Sequence, residues 1–190
     1  MKKEILERYE RAESGEILID VSTEKVEYLY NDFDKRAHFL KKDLNQDLVD
    51  YIIDCVTEIE KEKFIIQFSL EKETDDESIF RVKNSINKFF VYMQELESRN
   101  MNDMVRTSMI LFSIGLVLAT FSVVISKSQL VETSVVAAVI AEGLTVAAWV
   151  SLWESLATFL IKWRPHKKKT LLYKSIANSK IIFHFSGKKN

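Results

Sequence analysis

The sequence predicts an α+β chain: a small cytoplasmic domain built on a three-stranded sheet and helices, with a two-helix transmembrane hairpin inserted before the last strand, which the C-terminal tail supplies. Three observations predict it. Residues 107–126 are uncharged and almost wholly apolar, and a second apolar stretch follows at 134–161. About 20 apolar residues at ~1.5 Å rise cross a ~30 Å hydrocarbon layer, and both stretches reach that length. Short apolar runs at 16–21, 64–70 and 180–185 read as strands lying before and after the hairpin. Charge also divides the chain into blocks. Residues 1–106 hold 17 Lys+Arg against 25 Asp+Glu, whereas 162–190 hold nine basic residues and no acidic one. The overall net charge of -1 and hydrophobic content of 47% conceal this division. The resulting organisation is a cytoplasmic domain at 1–104, a hairpin at 105–164 with spans at about 106–126 and 134–161, and a basic tail at 165–190 whose strand rejoins the domain.

In chain order, residues 2–13 are helix-like and stop near Gly15, and residues 16–21 form a short buried strand. Ser22 is placed to cap a helix carrying Val26, Leu29, Tyr30 and Phe33. Asp43 and Gln46 have capping-box spacing for a helix to about Lys61, with an inner stripe of Leu44, Leu48, Tyr51, Ile52, Cys55 and Ile59. Phe64, Ile66, Phe68 and Leu70 alternate with Ile65, Gln67 and Ser69 as in a strand. Thr74 and Glu77 have capping-box spacing, and no Gly or Pro occurs from Ser78 to Ile114, so domain and first span share one helix. Ile79, Val82, Ile86, Phe89, Met93 and Leu96 recur at heptad spacings, which packs them either on the domain's own sheet or on a partner subunit's helix. Ile181, Phe183 and Phe185 alternate with Ile182 and His184. An isolated strand would leave its backbone groups unpaired, so this one joins the sheet.

Topology follows from the basic cluster Lys162, Arg164, Lys167, Lys168 and Lys169, which flanks the second span and stays on the cytoplasmic side, where it meets lipid headgroups. A hairpin turning at about Leu130 then leaves both termini cytoplasmic. Trp149, Trp153 and Trp163 sit in the cytoplasmic half of the second span as interface anchors. Gly115 and Ala119 in the first span and Gly143 and Ala147 in the second are small pairs four apart, suited to close helix packing.

Glu142 is the most informative single residue. A central acidic residue costs about 2.5 kcal/mol or more on insertion, while the nine Val, Ile and Leu residues between Val135 and Leu156 return roughly 3 to 5 kcal/mol. Glu142 therefore faces protein or water, with Thr145 and Thr120 as candidate hydrogen-bond partners. Two readings remain open: a carboxylate lining a cation or proton path in an oligomer, or a protonated packing residue. Glu154, 12 residues on, reaches the cytoplasmic interface and pairs with Lys162 or headgroups.

Other constellations carry no catalytic signature. Asp47, Asp50, Asp54 and Glu58 form a solvated helix stripe or the surface that receives the basic tail. His38, His166 and His184 share no motif spacing, and Cys55, the single cysteine, lies on an apolar stripe as a core residue. No P-loop, dinucleotide turn or nucleophile elbow occurs, so neither a cofactor nor a catalytic or metal site is expected.

The stretch Trp149-Val-Ser-Leu-Trp153-Glu154, continued by Phe159-Leu-Ile-Lys-Trp163-Arg164-Pro165, resembles the second span of a group of prokaryotic two-span membrane proteins of uncharacterised activity. Asp43-Leu-Asn-Gln-Asp47-Leu-Val-Asp50-Tyr51 is similar to their soluble part. The resemblance covers most of the chain. It implies a prokaryotic inner membrane and brings no activity or site residues.

The functional expectation is a non-enzymatic homo-oligomeric channel or pore, with membrane lipid as a partner and a cytoplasmic domain in control. The alternative is a membrane-anchored adaptor or sensory subunit that binds a cytoplasmic protein or ligand. Nucleic acid is not an expected partner, because the basic cluster lies beside a span.

Overall fold

Parallel strands need long crossovers, and this chain supplies two of very different size. The computed structural model describes residues 6–31, 44–60, 62–129 and 133–185. Strand β1 (Ile17–Thr23) is followed by a 3-10 turn (Val26–Leu29), helix α1 (Gln46–Ile59) and strand β2 (Phe64–Leu70). Helix α2 (Asp76–Ser126), helix α3 (Val135–Ala157), a π turn (Thr158–Lys162), helix α4 (Trp163–Ala177) and strand β3 (Lys180–Phe185) complete the order. The sheet has the order β1-β2-β3 and both pairings are parallel. The first crossover contains α1, and the second contains α2, α3 and α4.

Register explains why one face of this sheet is a core and the other is not. Ile19 pairs with Ile66 and Ile66 with Ile181; Val21 pairs with Phe68 and Phe68 with Phe183. Paired residues in a parallel sheet share a face, so these rows form one apolar surface. Ile17, Ile19, Ile66, Phe68 and Leu70 are fully buried there, and the Phe68 and Phe183 rings stack at 5.3 Å. Each such side chain contributes roughly 1.5 to 3 kcal/mol of apolar burial. The opposite face carries Leu18, Asp20, Ile65, Gln67, Ser69, Ile182 and His184, and of these only Ile65 is buried.

The helix starts differ from the capping expectations. Asn45 caps α1, its side-chain oxygen accepting from the Asp47 N–H at 2.9 Å, while Gln46 Nε2 donates to Asp50 Oδ1. Asn45 reaches the second backbone N–H of the helix, which satisfies an orphan donor without a reciprocal box. The buried stripe of α1 is Val49, Ile52, Cys55, Val56 and Ile59, rotated from the expected one, so Tyr51 is exposed and Leu48 half-buried. For α2, the Asp75 carboxylate accepts from the Ser78 N–H at 3.0 Å, and Thr74 donates to the Lys72 carbonyl instead. The hydrogen bonds from Ser78 hold the Asp75 carboxyl below its usual pKa.

Three further expectations are corrected. Glu7 to Glu13 is not helical: Arg11 bridges Ile17 and the chain turns through Gly15 at φ +85°, a conformation that suits glycine. Ser22 lies inside β1 rather than at a cap, and the 3-10 turn Val26–Leu29 follows. Phe33, His38, Asp43 and Leu130 lie outside the described residues.

The chain forms two compact units, one comprising Met1–Glu95 with Thr170–Asn190 and the other Leu96–Lys169. Within the first, Val82, Ile86 and Phe90 of α2 are fully buried, and Phe89 and Met93 pack against the same core. Val82, Ile86, Phe89 and Met93 of the heptad-like seam thus pack into their own domain, whereas Leu96 is exposed and belongs to the other unit. Tyr173 and Ile176 of α4 join that core, and Asn87 Nδ2 donates to the Ala177 carbonyl. Two helical runs are long and apolar enough to cross a membrane: Asp76–Ser126 and the continuous Val135–Ala177. The second stays helical through Pro165. Proline removes a backbone donor and crowds the carbonyl four residues earlier, and the π turn at Thr158–Lys162 lies directly before it.

Candidate functional site

In the unit Leu96–Lys169, the apolar part of α2 packs along α3 through residues that recur every seven positions. Ser108, Gly115 and Ser122 face Ala141, Ala148 and Ser155, all buried. A seven-residue repeat keeps one helix face on its neighbour over several turns. Hydrogen bonds pin both ends: Ser122 Oγ donates to the Ala141 carbonyl at 3.0 Å, and Ser155 Oγ donates to the Ser108 carbonyl at 2.8 Å. Between them Gly115 admits Leu152. A Cβ on residue 115 would lie 2.8 Å from Leu152 Cγ and 3.2 Å from its backbone nitrogen.

This seam uses only one of the two expected small pairs. Gly115 is at the closest approach, and Ala119 lines a groove of about 200 Å³ with Ser122, Val123, Thr145, Ala148, Trp149 and Leu152. Gly143 is not in the seam: a Cβ there would meet nothing within 4 Å. Ala147 is exposed as well. Two residues beyond Ala141 is a rotation of about 200°, which turns Gly143 to the far side of the helix.

Glu142 is exposed on α3, one position past the seam. Its expected partners are engaged elsewhere. Thr145 Oγ1 donates to the Ala141 carbonyl at 2.9 Å and contacts Ser122 Oγ, while Thr120 Oγ1 donates to Leu116 in its own helix. Both bonds close locally because a threonine hydroxyl reaches the carbonyl four residues back. Glu154 is also exposed, and Thr158 Oγ1 donates to it at 3.5 Å; Lys162 is exposed.

Trp149 and Trp153 are 69% and 70% exposed, so neither is a packing residue of this unit. Trp163 stacks on Phe159 at 6.2 Å, and Lys167 Nζ lies 4.7 Å above its ring. Arg164, Lys168 and Lys169 are exposed beside them. Sequence reading missed one pair: Glu97 and His166 meet at 2.7 Å although 69 residues apart. No local motif spans such a separation.

The unit Met1–Glu95 with Thr170–Asn190 holds a second feature, a cleft of about 490 Å³ beside the polar face of the sheet. Asp20 is fixed there by Ser69 Oγ at 2.8 Å and Gln67 Nε2 at 3.3 Å, and Tyr51 donates to its backbone carbonyl. Tyr9 donates to Glu58 at 2.7 Å. Arg8, Asp54 and the buried Cys55 complete its wall. Burial raises the pKa of both phenols. Glu58 and Cys55 reinforce this at Tyr9, and Cys55 and Asp20 at Tyr51. Of the expected acidic stripe, only Asp54 and Glu58 reach this cleft. Among the described residues, no group of three or more His, Cys, Asp or Glu is placed to hold a metal ion.

Compared with known proteins, the chain matches no family model, no curated protein and no solved structure.

Proposed function

We propose that this chain is an integral membrane protein of the prokaryotic inner membrane, crossing twice with both termini cytoplasmic. It assembles as a homo-oligomeric channel or pore whose permeation path includes Glu142. One observation carries the reading: Glu142 is an exposed carboxylate on α3, 12 residues before the exposed Glu154, on a helix whose other exposed residues are mainly apolar. In lipid, a carboxylate at that depth costs about 2.5 kcal/mol or more, and a neighbouring copy or an aqueous path removes the cost. A lone hairpin cannot enclose water. Because α2 contributes residues to both units, the domain that carries the sheet has a covalent route to the first span. The basic residues Lys162, Arg164, Lys167, Lys168 and Lys169 meet anionic headgroups, and Trp149, Trp153 and Trp163 anchor the interface. No enzymatic step is part of the proposal.

The test is ion flux in liposomes containing the purified protein. The reading expects conduction whose selectivity or conductance changes in Glu142→Gln. Bilayers that stay silent across pH and voltage, with helicity intact by circular dichroism, would refute it.

The cleft bounded by Tyr9, Asp20 and Tyr51 favours a second reading, in which the hairpin anchors a sensory or adaptor subunit. Crosslinking in cells then recovers a cytoplasmic partner bound through Met1–Glu95 with Thr170–Asn190. Recovery of the chain alone in repeated experiments removes this reading.

A further inference from the structure

Four features converge on one side of the α2–α3 seam. The groove of about 200 Å³ is lined by Ala119, Ser122, Val123, Thr145, Ala148, Trp149 and Leu152. Glu142 precedes Thr145 by three residues and Trp149 by seven. At about 100° per residue, Glu142 and Trp149 stand within roughly 20° of each other around the helix, about 10 Å apart along it. Both are exposed; Trp149 lines the groove, and Glu142 lies outside that lining, about one helical turn before Thr145.

The chemistry of these residues selects the occupant. A carboxylate in a low-dielectric setting is stabilised by an opposite charge, and the exposed Trp149 ring offers apolar aromatic surface to the rest of a bound molecule. A Ca²⁺ or Mg²⁺ ion is poorly served, because it takes six or more oxygen ligands. The Ser122 and Thr145 hydroxyls are already committed to Ala141 and to each other. The remaining lining is hydrocarbon. We infer that the groove binds an organic cation with an apolar body, its charge toward Glu142 and its body against Trp149 and the groove.

Size adds a second constraint. Ligand pockets usually enclose about 300 to 1,000 Å³, so one groove is roughly half a site. Two copies facing each other complete it and bring two Glu142 carboxylates to one cation. This inference rests on the oligomeric membrane reading above and names the chemical class that the same carboxylate takes.

The probe is tetraphenylphosphonium, measured by equilibrium binding to the full chain in nanodiscs and corrected for partitioning into protein-free nanodiscs. Saturable binding at one cation per two chains is expected. Glu142→Gln should weaken it about tenfold or more, Glu142→Asp should retain most of it, and Trp149→Leu should weaken it where Trp149→Phe does not. Circular dichroism shows whether each variant keeps its helices. Should Glu142→Gln lose helicity, the Trp149 pair decides. Absence of saturable binding, or binding that Glu142→Gln and Trp149→Leu leave unchanged in folded protein, overturns the inference. Glu142-dependent ion flux without probe binding removes this inference and leaves the pore standing. Probe binding without flux does the reverse.

Discussion

Replacing Gly115 and Gly143 by alanine, one at a time, separates the seam glycine from the one that faces away. At residue 115 the new methyl would lie 2.8 Å from Leu152 Cγ, 2.9 Å from Cδ2 and 3.2 Å from the backbone nitrogen. Carbon atoms pack best at about 3.5 to 4.0 Å, so the closest contact is short by roughly 0.7 Å. The side-chain atoms of Leu152 can turn aside, but its backbone nitrogen moves only with the helix. Such overpacking costs about 1 to 3 kcal/mol. Against this, alanine gains roughly 1 kcal/mol of helix propensity over glycine. Residue 143 gains the same propensity and meets nothing within 4 Å. The difference between the two variants cancels the propensity term and isolates the seam. It should be about 1 to 3 kcal/mol, with Gly115→Ala the less stable. The assay is reversible unfolding in mixed micelles by sodium dodecyl sulfate, followed by circular dichroism, with the protein kept monomeric by excess detergent. Equal stabilities, or a larger loss in Gly143→Ala, would refute the seam described for α2 and α3.

Other expectations can be checked on the full chain. Ser155→Ala removes the bond to the Ser108 carbonyl and should cost roughly 0.5 to 1.5 kcal/mol in the same assay, whereas Ser113→Ala, whose hydroxyl bonds only within its own helix, should cost less. Phe68→Ala empties the centre of the apolar sheet face and should cost about 3 to 5 kcal/mol, read as a lower thermal midpoint. Asn45→Ala removes the α1 cap at about 0.5 to 2 kcal/mol, and Asn45→Asp should restore it. Tyr9 has a folded pKa raised above its ordinary 10.0, first by burial and then by Glu58 and Cys55, so its stabilising contribution is whole below pH 10.0 and declines as the pH rises beyond that. Tyr9→Phe should lose that alkaline dependence in thermal scans, and scans that superimpose with wild type above pH 10.0 would contradict it.

The parts of this fold that could be read ahead are those with a strong local period. Phe64 to Leu70 shows its period because Phe64, Ile66, Phe68 and Leu70 make one face apolar throughout, although Ile65 on the other face is also buried, and the pairing of Lys180–Phe185 with it follows from the need to satisfy an otherwise solitary strand. That all three strands run parallel was not legible, since alternation gives faces but not direction. The N-terminal segment misleads because Leu6 and Tyr9 have helical spacing, yet both pack as partly buried residues against the core beside a turn at Gly15. The seam between the apolar helices was partly visible. Small pairs four apart mark Gly115 and Ala119 but also Gly143 and Ala147, and only the seven-residue recurrence of Ser108, Gly115 and Ser122 distinguishes the face in use. Glu142 stood out by its cost alone. Its side of the helix depends on that seam, and the groove beside it and the Glu97–His166 contact depend on residues distant in sequence.

Native mass spectrometry of the wild-type protein in nanodiscs counts the chains per assembly and separates an oligomer from a lone hairpin. If neighbouring copies cover the exposed Glu142, as proposed, two or more chains stay together at concentrations where unrelated hairpins separate. A single folded hairpin, stable alone in lipid with Glu142 exposed, would contradict it.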